Sequence, residues 1–436
     1  MATTGEKQLN PTFEPYRYEE AIKEAYLIGS KKEVIDITEN LMSCSIFEDL
    51  FANTVSGNAI LRDKDSHIKS QNLNGADKLI LVTGAANNQK NVLEFLVYSH
   101  SYVKATDTSE MVTLNFIALP FVISQNIRLW GGYKGSIAAI ANNVFNGVIE
   151  GYNPSSVRGY KAKSPTIECD ATEGIIKLVS PGWSPFQLLS WLSGRATNPE
   201  TSGSLFLFYQ TIFDGYKFKC VEKLISDGNT KELADDYIFY YGYTGAGYDK
   251  NNVKSLTIGK LGDTLKGSNS QYTNLWHTDI TKKKITKRTY TSDVASTPLL
   301  NAKIMGQLDN NNGFDYDFSA LRKTANLKSI IKNESSLIHD NIDFYTANSF
   351  QRKFNMLKQI QTMNISIETF SNSKIKVGDV VEMIVPQRRG IDKKDNLKRL
   401  LDNELSGRYI VGAKSLHYTM DEVKMQMQLI KDSVLE

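Results

Sequence analysis

The chain has 436 residues, of which 41% are apolar and 23% charged, so it is long enough to bury sizeable cores in two to four domains. Its formal net charge of +3 is too small for a protein dedicated to nucleic-acid binding, although local basic patches stay open. The three widely spaced cysteines, Cys44, Cys169 and Cys220, argue against a disulfide framework or a CxxC zinc site and indicate buried free thiols made in a reducing cytosol.

Residues 1–29 are polar and are predicted to form an N-terminal arm that lies on a neighbour or stays mobile. Within this arm, Tyr18–Ile28 is compatible with a short helix. The segment has no apolar core typical of a secretory signal, and the sequence has no run of apolar residues long enough to span a membrane.

The segment 30–130 shows short β-strand patterns with turn residues between them. Closely spaced strands without a long intervening helix predict an antiparallel barrel or sandwich. The strand candidates are Val34–Ile37, Gly57–Arg62, Lys78–Thr83, Val92–His100 and Met111–Leu119.

A helix is predicted in the segment 131–198, where Ser136 is a candidate N-cap. The following apolar residues recur at helical spacing and predict a helix packed on a core. They are Ile137, Ile140, Ala141, Val144, Phe145 and Val148. Further along, Ala171–Val179 is a strand candidate.

A short helix followed by an aromatic β-hairpin is predicted near the middle of the chain. Ser184 and Pro185 fit the N-cap and the first position of the helix, and Gly194 can end it. Ser204–Phe213 is apolar and aromatic almost throughout, Asp214-Gly215 is a hairpin signal, and Tyr216–Leu224 alternates.

The remainder divides into a polar segment and a C-terminal set of strands. Residues 246–340 are turn-rich and are predicted to be an insert, because the barrel that begins at Ser204 needs later strands to close. A strand is predicted just before this insert, a basic strand within it, and a helix and further strands after it. These elements are Tyr237–Tyr243, Lys282–Thr291, the helix Ser349–Gln361, and the strands Met363–Glu368, Val380–Val385, Lys414–Thr419 and Lys424–Ile430.

Two stretches resemble the baseplate central hub proteins of contractile-tailed, T-even-like bacteriophages, which are related in fold to the hub domain of type VI secretion spike proteins. The first is the helix at Ser184-Pro185-Phe186 with the hairpin at Asp214-Gly215. The second is the C-terminal succession Val377–Val381, Ser406–Val411, Leu416–Thr419 and Met427–Ser433. The family's usual opening is a short strand, a loop that contains an Ile-Phe-Glu-Asp run and a Ser-Gly pair, and a strand ending in aspartate. Here the loop maps onto Ser45–Asp49 and Ser56-Gly57, and the following strand maps onto Ile60–Asp63.

The resemblance implies an α+β, mainly β fold with two antiparallel tube-type β-barrels and smaller inserted α/β domains. The implied divisions are the arm 1–29, the first barrel 30–130, a helix-containing insert 131–198, the second barrel in two parts, 199–245 and 341–436, and a peripheral insert 246–340.

The resemblance also implies a structural virion protein. In the family, a homotrimer forms a pseudo-six-fold ring that joins the six-fold tail tube to the three-fold central spike and leaves a channel for DNA. The implied partners are the spike, the tail tube or tube-initiator proteins, the tape-measure protein and the surrounding baseplate proteins, while DNA passes without specific binding. The implied location is the tail baseplate of the virion, after synthesis in the bacterial host cytoplasm.

Candidate sites for chemistry have simpler structural interpretations. Gly84 in Leu79–Ala86 stands alone, so a hairpin turn is favoured over a dinucleotide-binding loop. Asp235-Asp236 is interpreted as a solvated turn, and the serine of Ser184-Pro185 as a helix cap. The five histidines have no metal-ligand spacing; they are His67, His100, His277, His339 and His417. No nucleophile, base and oxyanion site assembles, so we expect no enzyme activity, cofactor or metal.

Two basic runs and four tryptophans leave alternatives open. Lys282–Arg288 and Arg388–Arg399 are interpreted as solvated loops, with contact to an acidic subunit or to DNA in a channel as the alternative. The rival function is a carbohydrate-binding or cell-wall-acting β-protein of a phage tail. Its sugar-stacking candidates are Trp130, Trp183, Trp191 and Trp276.

Overall fold

The computed structural model describes a mainly β protein with four α-helices among the described residues, so the predicted α+β, mainly β class is confirmed. The described residues are 20–29, 33–64, 68, 73, 75–84, 90–104, 109–201, 203–242, 251–260, 272–279, 284–291, 300, 303–304, 353, 356–357, 360–361, 363–387, 401–419 and 422–434.

The elements follow in chain order. The N-terminal strands are β1 (Ile22–Ile28), β2 (Val34–Asp36), β3 (Leu41–Asp49), β4 (Ser56–Lys64), β5 (Lys78–Gly84), β6 (Lys90–Lys104) and β7 (Ser109–Ala118). The middle elements are α1 (Leu119–Asn126), β8 (Leu129–Gly135), α2 (Ile137–Ile149), β9 (Ser156–Val157), β10 (Tyr160–Lys161), β11 (Ile167–Cys169), β12 (Ile176–Trp183), α3 (Pro185–Ser193), β13 (Phe206–Thr211), β14 (Gly215–Cys220) and α4 (Val221–Thr230). The C-terminal strands are β15 (Ile238–Tyr240), β16 (Ser255–Lys260), β17 (Tyr272–Asp279), β18 (Lys284–Thr291), β19 (Lys303–Ile304), β20 (Met363–Phe370), β21 (Val380–Ile384), β22 (Gly407–Thr419), β23 (Val423–Lys431) and β24 (Ser433–Val434).

One 13-stranded sheet contains strands from both ends of the chain. Its order is β16-β20-β23-β22-β3-β4-β7-β6-β5-β1-β2, while β21 pairs with β22 and β15 pairs with β21. All pairings along this order are antiparallel. The N-terminal and C-terminal strands therefore meet at one seam, where β22 pairs with β3 over Ala413–Thr419 and Ser43–Asp49.

The main core lies on one face of this sheet. Alternate side chains of β3, β4 and β22 point into it, including Ile46, Leu61 and Leu416, all fully buried. Tyr209 and Val381 belong to the same core. The middle and the C-terminal part of the chain therefore pack into one body.

A second core holds the middle of the chain together. It packs α2 and α3 against the aromatic face of the β13–β14 hairpin, with Phe145, Phe186 and Tyr216 at its centre. Both predicted N-caps are confirmed. Ser136 Oγ accepts from the N–H of Ala139, and Ser184 forms a reciprocal capping box with Gln187.

The hairpin carries side chains for both cores. Phe206 and Phe208 point into the second core, whereas Tyr209 and Ile212 point into the main core. This explains why the hairpin sequence is apolar almost without interruption, since a strand that is buried on both faces has no solvent face to mark with polar residues.

A small clamp attaches the segment between α2 and β9, together with β10, to the N-terminal strands. Glu94 of β6 accepts hydrogen bonds from Lys78 Nζ at 2.9 Å and Tyr152 Oη at 2.7 Å. Burial opposes ionisation of Glu94, but these bonds and those from Ser155 hold its pKa below the ordinary value, so it is a carboxylate. Tyr160 Oη donates to Glu24 at 2.6 Å on the same surface.

Two predictions of local structure are wrong. The segment Tyr18–Ile28 was compatible with a helix, but Ile22–Ile28 forms β1 between β2 and β5. Ala25 and Leu27 face the main core and Tyr26 faces a small outer cluster, so burial on both sides removes the alternation that marks a strand. The second is the alternating stretch Tyr216–Leu224. Its strand pairing with β13 ends at Cys220, and Val221–Thr230 forms α4 with Val221 and Ile225 buried.

Two expected placements also differ. The hairpin Phe206–Cys220 was expected in the second barrel, but its strands pair with each other and with β11 in a separate three-stranded sheet. Ser255–Lys260 was expected in the peripheral insert, but it is the edge strand of the large sheet because it pairs with β20. Ser45–Asp49, which matched a loop of the family, is part of β3.

The other predicted strands overlap observed strands in the described residues, but three differ in their limits. Ala171–Val179 is shifted to Ile176–Trp183, Tyr237–Tyr243 is shortened to Ile238–Tyr240, and Lys414–Thr419 is the second half of Gly407–Thr419. Of the predicted helix Ser349–Gln361, residues Lys353, Met356, Leu357 and Ile360 are helical, while Phe350 and Phe354 lie outside the described residues. The turn Ala85–Gln89 is also outside them, but β5 and β6 pair antiparallel up to Gly84 and Lys90, as a hairpin requires. The arm up to residue 19 and the domain limits stay predictions.

A buried ion pair crosses the seam between the two ends of the chain. Lys414 of β22 lies directly opposite Glu48 of β3, with Nζ and Oε1 3.0 Å apart and both side chains almost fully buried. Glu48 Oε2 also accepts from the N–H of Ile212 at 2.7 Å, and Lys414 donates to the carbonyl of Ile375 at 2.5 Å. These two side chains therefore tie four separate segments together.

We expect Glu48→Gln to lower the free energy of unfolding by about 3–5 kcal/mol, because it leaves the Lys414 ammonium buried without a counter-charge. Denaturant unfolding followed by tryptophan fluorescence measures the change. Glu368→Gln is the matched control, since its partner Lys424 is partly exposed and loss of such a pair costs about 0–1 kcal/mol. The double variant Glu48→Gln/Lys414→Met should recover part of the loss, and a Glu48→Gln protein as stable as the control would contradict the assignment.

Candidate functional site

The second face of the large sheet is a continuous polar surface. It is formed by the side chains that alternate with the core residues along β16, β20, β23, β22, β3, β4, β7 and β6. Cross-strand register brings these side chains into rows that run from β16 to β6. We call this surface the polar face.

Two central rows define its chemistry. The first row contains Ser255, Glu368, Gln426, Ser415, Phe47, Ser56, Ile117 and Leu96. The second row contains Phe370, Lys424, His417, Ser45, Asn58, Asn115 and Ser99. Each row has four hydroxyl or amide side chains, while Phe47, Ile117 and Leu96 of the first row are apolar. Both rows cross the β22–β3 seam without interruption.

His417 connects the two sides of the seam on the polar face. Its Nδ1 lies 2.8 Å from Ser45 Oγ on β3, and its Nε2 lies 3.0 Å from Ser415 Oγ on β22. Phe47 packs edge-on against the imidazole with ring centroids 6.0 Å apart. Both ring nitrogens thus have partners, which fits a histidine that fastens two strands rather than one that binds a metal.

The two central rows of the polar face carry little charge, whereas Asp49 of β3 and Arg62 and Lys64 of β4 lie on the same face outside these rows. With histidine counted as neutral, Glu368 and Lys424 are the charged members of the two central rows, and they face each other at 3.6 Å. A surface of this kind has hydrogen-bonding groups for water but no field strong enough to hold a polyanion.

The polar face has a depression where β16, β20, β23, β22 and β3 cross it. A shallow depression follows these strands and is lined by the polar side chains of Ser255, Thr257, Ser366, Gln428, Ser415 and Asp49. Curvature toward the polar side is what a sheet needs in order to form part of the wall of a wide channel.

At the two ends of the polar face, two strand edges have no partner strand among the described residues. One is the outer edge of β16, which pairs only with β20. The other is the second half of β6, because β5 pairs with β6 over Lys90–Leu96 while β7 pairs with it up to Lys104. Tyr98 and Val103 on this half are 57% and 63% exposed, so both edges offer backbone groups and apolar side chains to a neighbour.

The histidines and cysteines have structural positions. His417 lies on the polar face, and His100 lies on β6 with its ring 5.3 Å from that of Tyr102. Cys44 and Cys220 are buried free thiols, and burial raises the pKa of the half-buried Cys169 to about 11. His67 and His339 lie outside the described residues, as does the side chain of His277.

The acidic pair and the basic runs are not brought together. Asp235 and Asp236 lie in a 3₁₀ turn, and Asp236 forms an ion pair with Lys374 at 2.5 Å. Lys284–Thr291 forms β18 in a two-stranded sheet with β17, but the side chains of both strands are outside the description. The run Arg388–Arg399 lies outside the described residues.

The tryptophans do not form one binding platform. Trp183 and Trp191 pack on each other with ring centroids 5.4 Å apart, and Arg195 covers Trp191 at 3.7 Å. Trp130 is 77% exposed on β8, and the side chain of Trp276 is outside the description. Only one of the three described indoles therefore offers a free face.

The described residues contain no cluster of His, Cys, Asp and Glu suited to a metal ion. None of the helices within these ranges has the length and apolar character needed to cross a membrane. Sequence reasoning did not identify the polar face, although Ser43, Ser45, Asn58, Ser415 and Gln426 alternate with apolar residues and carry its signal.

This chain is similar to known proteins in structure but matches none of the compared families or curated proteins in sequence. No protein family and no curated protein matches the sequence. A tail protein from Neisseria meningitidis MC58 matches 95% of this chain and 97% of its own, with a TM-score of 0.50 and 10% identity. The 43 kDa tail protein of prophage MuSo2 from Shewanella oneidensis matches 94% and 98%, with a TM-score of 0.49 and 8% identity.

A third similar structure is an Escherichia coli component of the type VI secretion system that is itself similar to the bacteriophage T4 tail proteins gp27 and gp5. It matches 90% of this chain and 74% of its own, with a TM-score of 0.38 and 8% identity. The likeness to the Neisseria protein over almost the full length shows that this chain has the fold of that tail protein. The resemblance predicted from the sequence is thus confirmed at the level of fold.

We expect the wild-type chain to bind duplex DNA weakly. Three arginines introduced on the polar face should raise its affinity for DNA. In the triple variant Asn58→Arg/Ser415→Arg/Gln426→Arg, each guanidinium can displace a counterion from a phosphate. The affinity for DNA should therefore rise roughly tenfold or more in about 50 mM salt, and most of this gain should vanish near 200 mM salt. Fluorescence anisotropy with a labelled duplex measures the affinity and its dependence on salt.

The matched control places three arginines on exposed residues outside the polar face, at Asn153, Ser156 and Ser164. The control has the same net charge but spreads it over a convex surface, so its gain should be smaller. Tight, salt-dependent binding by the wild-type chain would contradict a neutral face.

Proposed function

We propose that this chain is a baseplate hub subunit of a contractile tail. Three copies form a pseudo-six-fold ring that joins a six-fold tail tube to a three-fold central spike and leaves a channel for DNA. The observation that carries the proposal is the continuous polar face, which passes without a break from C-terminal to N-terminal strands through the β22–β3 seam.

The two ends of the chain contribute matched parts of this face. The C-terminal part supplies β16, β20, β23 and β22, and the N-terminal part supplies β3, β4, β7 and β6. Each part is a set of antiparallel strands with its core on the side away from the polar face. Three copies of a chain with two such parts give six similar units, which is how a trimer can match six-fold symmetry on one side and three-fold symmetry on the other.

The free strand edges support ring closure by strand pairing. Because the strands of the polar face alternate in direction and are even in number, β16 of one copy runs antiparallel to β6 of the next when the sheets are placed side by side. A second copy can therefore continue the same hydrogen-bond pattern, and a closed ring leaves neither of these two edges exposed.

The register of the sheet supports the same arrangement. The row that begins at Ser255 of β16 ends at Leu96 of β6. Leu96 lies in the half of β6 that is already paired with β5. The free half, Ser99–Lys104, lies further along the strand direction. A closed barrel requires such a stagger between the strands that join, because the strands tilt relative to the barrel axis.

A neutral, polar lining suits the passage of DNA. Phosphate contacts with Lys and Arg provide most of the affinity in non-specific DNA binding, and the central rows offer one cation that already pairs with Glu368. Hydroxyl and amide groups keep the wall hydrated, so a polyanion can slide past without being held.

The remaining parts of the proposal rest on the resemblance. Contacts with the central spike, the tube or tube-initiator proteins, the tape-measure protein and the surrounding baseplate proteins are proposed without assignment to residues, as is the virion location after synthesis in the host cytoplasm. We propose a structural, non-enzymatic role. The carbohydrate-binding alternative has one supporting observation, the exposed ring of Trp130.

Engineered disulfides test the ring directly. Thr257→Cys on the free edge of β16 is combined in turn with Ser99→Cys, Ser101→Cys or Val103→Cys on β6. We expect one of these pairs to form covalent trimers under oxidation, because only the correct register brings two β-carbons to about 4 Å. Non-reducing electrophoresis and light scattering, with a mass near three times 48.9 kDa, report the product.

The control is Thr257→Cys with Ser164→Cys, since Ser164 is exposed away from both edges. Native Cys44 and Cys220 are buried and do not compete. If every pair stayed monomeric even with the spike and tube proteins present, the hub assignment would be wrong.

A further inference from the structure

The two-stranded ribbon β8–β12 has an exposed apolar face that the large sheet does not use. Its inner side chains, among them Tyr133 and Leu178, pack on the second core. Its outer side chains include Trp130 and Val179, each 77% exposed, and Ile175 beside the ribbon is 71% exposed. An exposed apolar patch on a ribbon whose other face is already packed on a core is typical of a surface that a partner covers.

Trp130 is held in place before any partner arrives. The backbone of Gly182 has φ +83°, and a β-carbon there would lie 2.5 Å from the Trp130 indole. The indole thus lies flat against a position where only glycine fits. A large aromatic side chain that is already fixed loses little conformational entropy on binding, which is the property of residues that dominate interface energy.

The outer face also carries an uncompensated charge. Lys134 and Lys177 are directly opposite each other across the ribbon, and both are exposed. Like charges in cross-strand positions are destabilising, and neither lysine has an acidic partner among the described residues. Carboxylates from outside the chain would relieve this repulsion.

We propose that the Trp130–Val179 face binds an extended segment of another protein that presents a carboxylate beside an aromatic or aliphatic side chain. The apolar side chain packs on Trp130 and Val179, and the carboxylate pairs with Lys134 and Lys177. Within the described residues neither β8 nor β12 pairs with any other strand, so the segment can also add as a third strand.

The chemistry of the face favours a protein over a saccharide. Sugar hydroxyls need several hydrogen-bond partners around the stacking ring, because unpaired hydroxyls lose solvation. Here the strand register places Pro181 opposite Trp130 and the pair Gly132–Val179 next along the outer face, and Gly182 lies against the indole, so these positions offer no polar side chain. The inference depends on this ribbon alone and does not require the proposed ring.

Selection from a displayed library of random peptides of about 12 residues tests the proposal on the purified full-length chain. Peptides are retained if they bind the wild type and rejected if they bind Lys134→Glu/Lys177→Glu. We expect the retained peptides to carry Asp or Glu within a few residues of an aromatic or aliphatic residue.

Synthetic copies of these peptides are then measured by fluorescence polarisation. Binding should weaken at least about tenfold with Trp130→Ala and with the double charge reversal, and should weaken between roughly 50 and 300 mM salt. Lys163→Glu is the control, because Lys163 is exposed away from the ribbon, and it should leave binding unchanged. Val179→Ser provides a second reading if Trp130→Ala fails to fold.

Three outcomes would overturn the proposal. The first is that no acidic peptide is enriched, or that enriched peptides bind all variants equally. The second is that acidic oligosaccharides on an array bind the wild type and lose binding in Trp130→Ala, which would assign the face to a saccharide. The third is that Trp130→Ala reduces the oligomeric mass in light scattering, which would assign it to a second copy of the chain. Peptide binding to the ribbon can be measured whether the disulfide test gives monomers or trimers.

Discussion

The pairing of β22 with β3 is the interaction on which the rest of the structure depends. It joins the last strands of the chain to the first through backbone hydrogen bonds over Ala413–Thr419 and Ser43–Asp49. On the core side of this seam Lys414 and Glu48 face each other, and on the polar side His417 bonds to Ser45. The two halves therefore share one core and one polar face, and neither can rotate relative to the other without exposing a buried charge.

The aromatic hairpin β13–β14 has a supporting role between two cores. It places Phe206, Phe208 and Tyr216 against α2 and α3, while Tyr209 and Ile212 reach the main core beneath the large sheet. The carboxylate of Glu48 accepts from the N–H of Ile212 at the end of β13, so the seam and the hairpin are directly connected. The middle of the chain is thereby fixed relative to the strands that carry the polar face.

The molecule separates two kinds of surface. The central rows of the polar face have hydroxyl and amide side chains and little charge, which suits a wall that lets other molecules pass. The Trp130–Val179 ribbon has apolar side chains and unpaired lysines, which suits binding to a specific partner. Fold alone would not distinguish these uses, because one architecture can serve many functions and only the side chains of each surface assign them.

Signals between neighbouring residues specify the local elements of this chain. Ser136 and Ser184 marked two helix starts, Asp214-Gly215 marked the hairpin, and alternation marked most strands, because caps, turns and amphipathic faces depend on residues a few positions apart. Only the tertiary structure decided that Lys414 meets Glu48, that β16 joins β20, and that β1 is a strand buried on both faces. Backbone hydrogen bonds between distant strands are almost independent of side-chain identity, so the sequence leaves little local trace of which strands will pair.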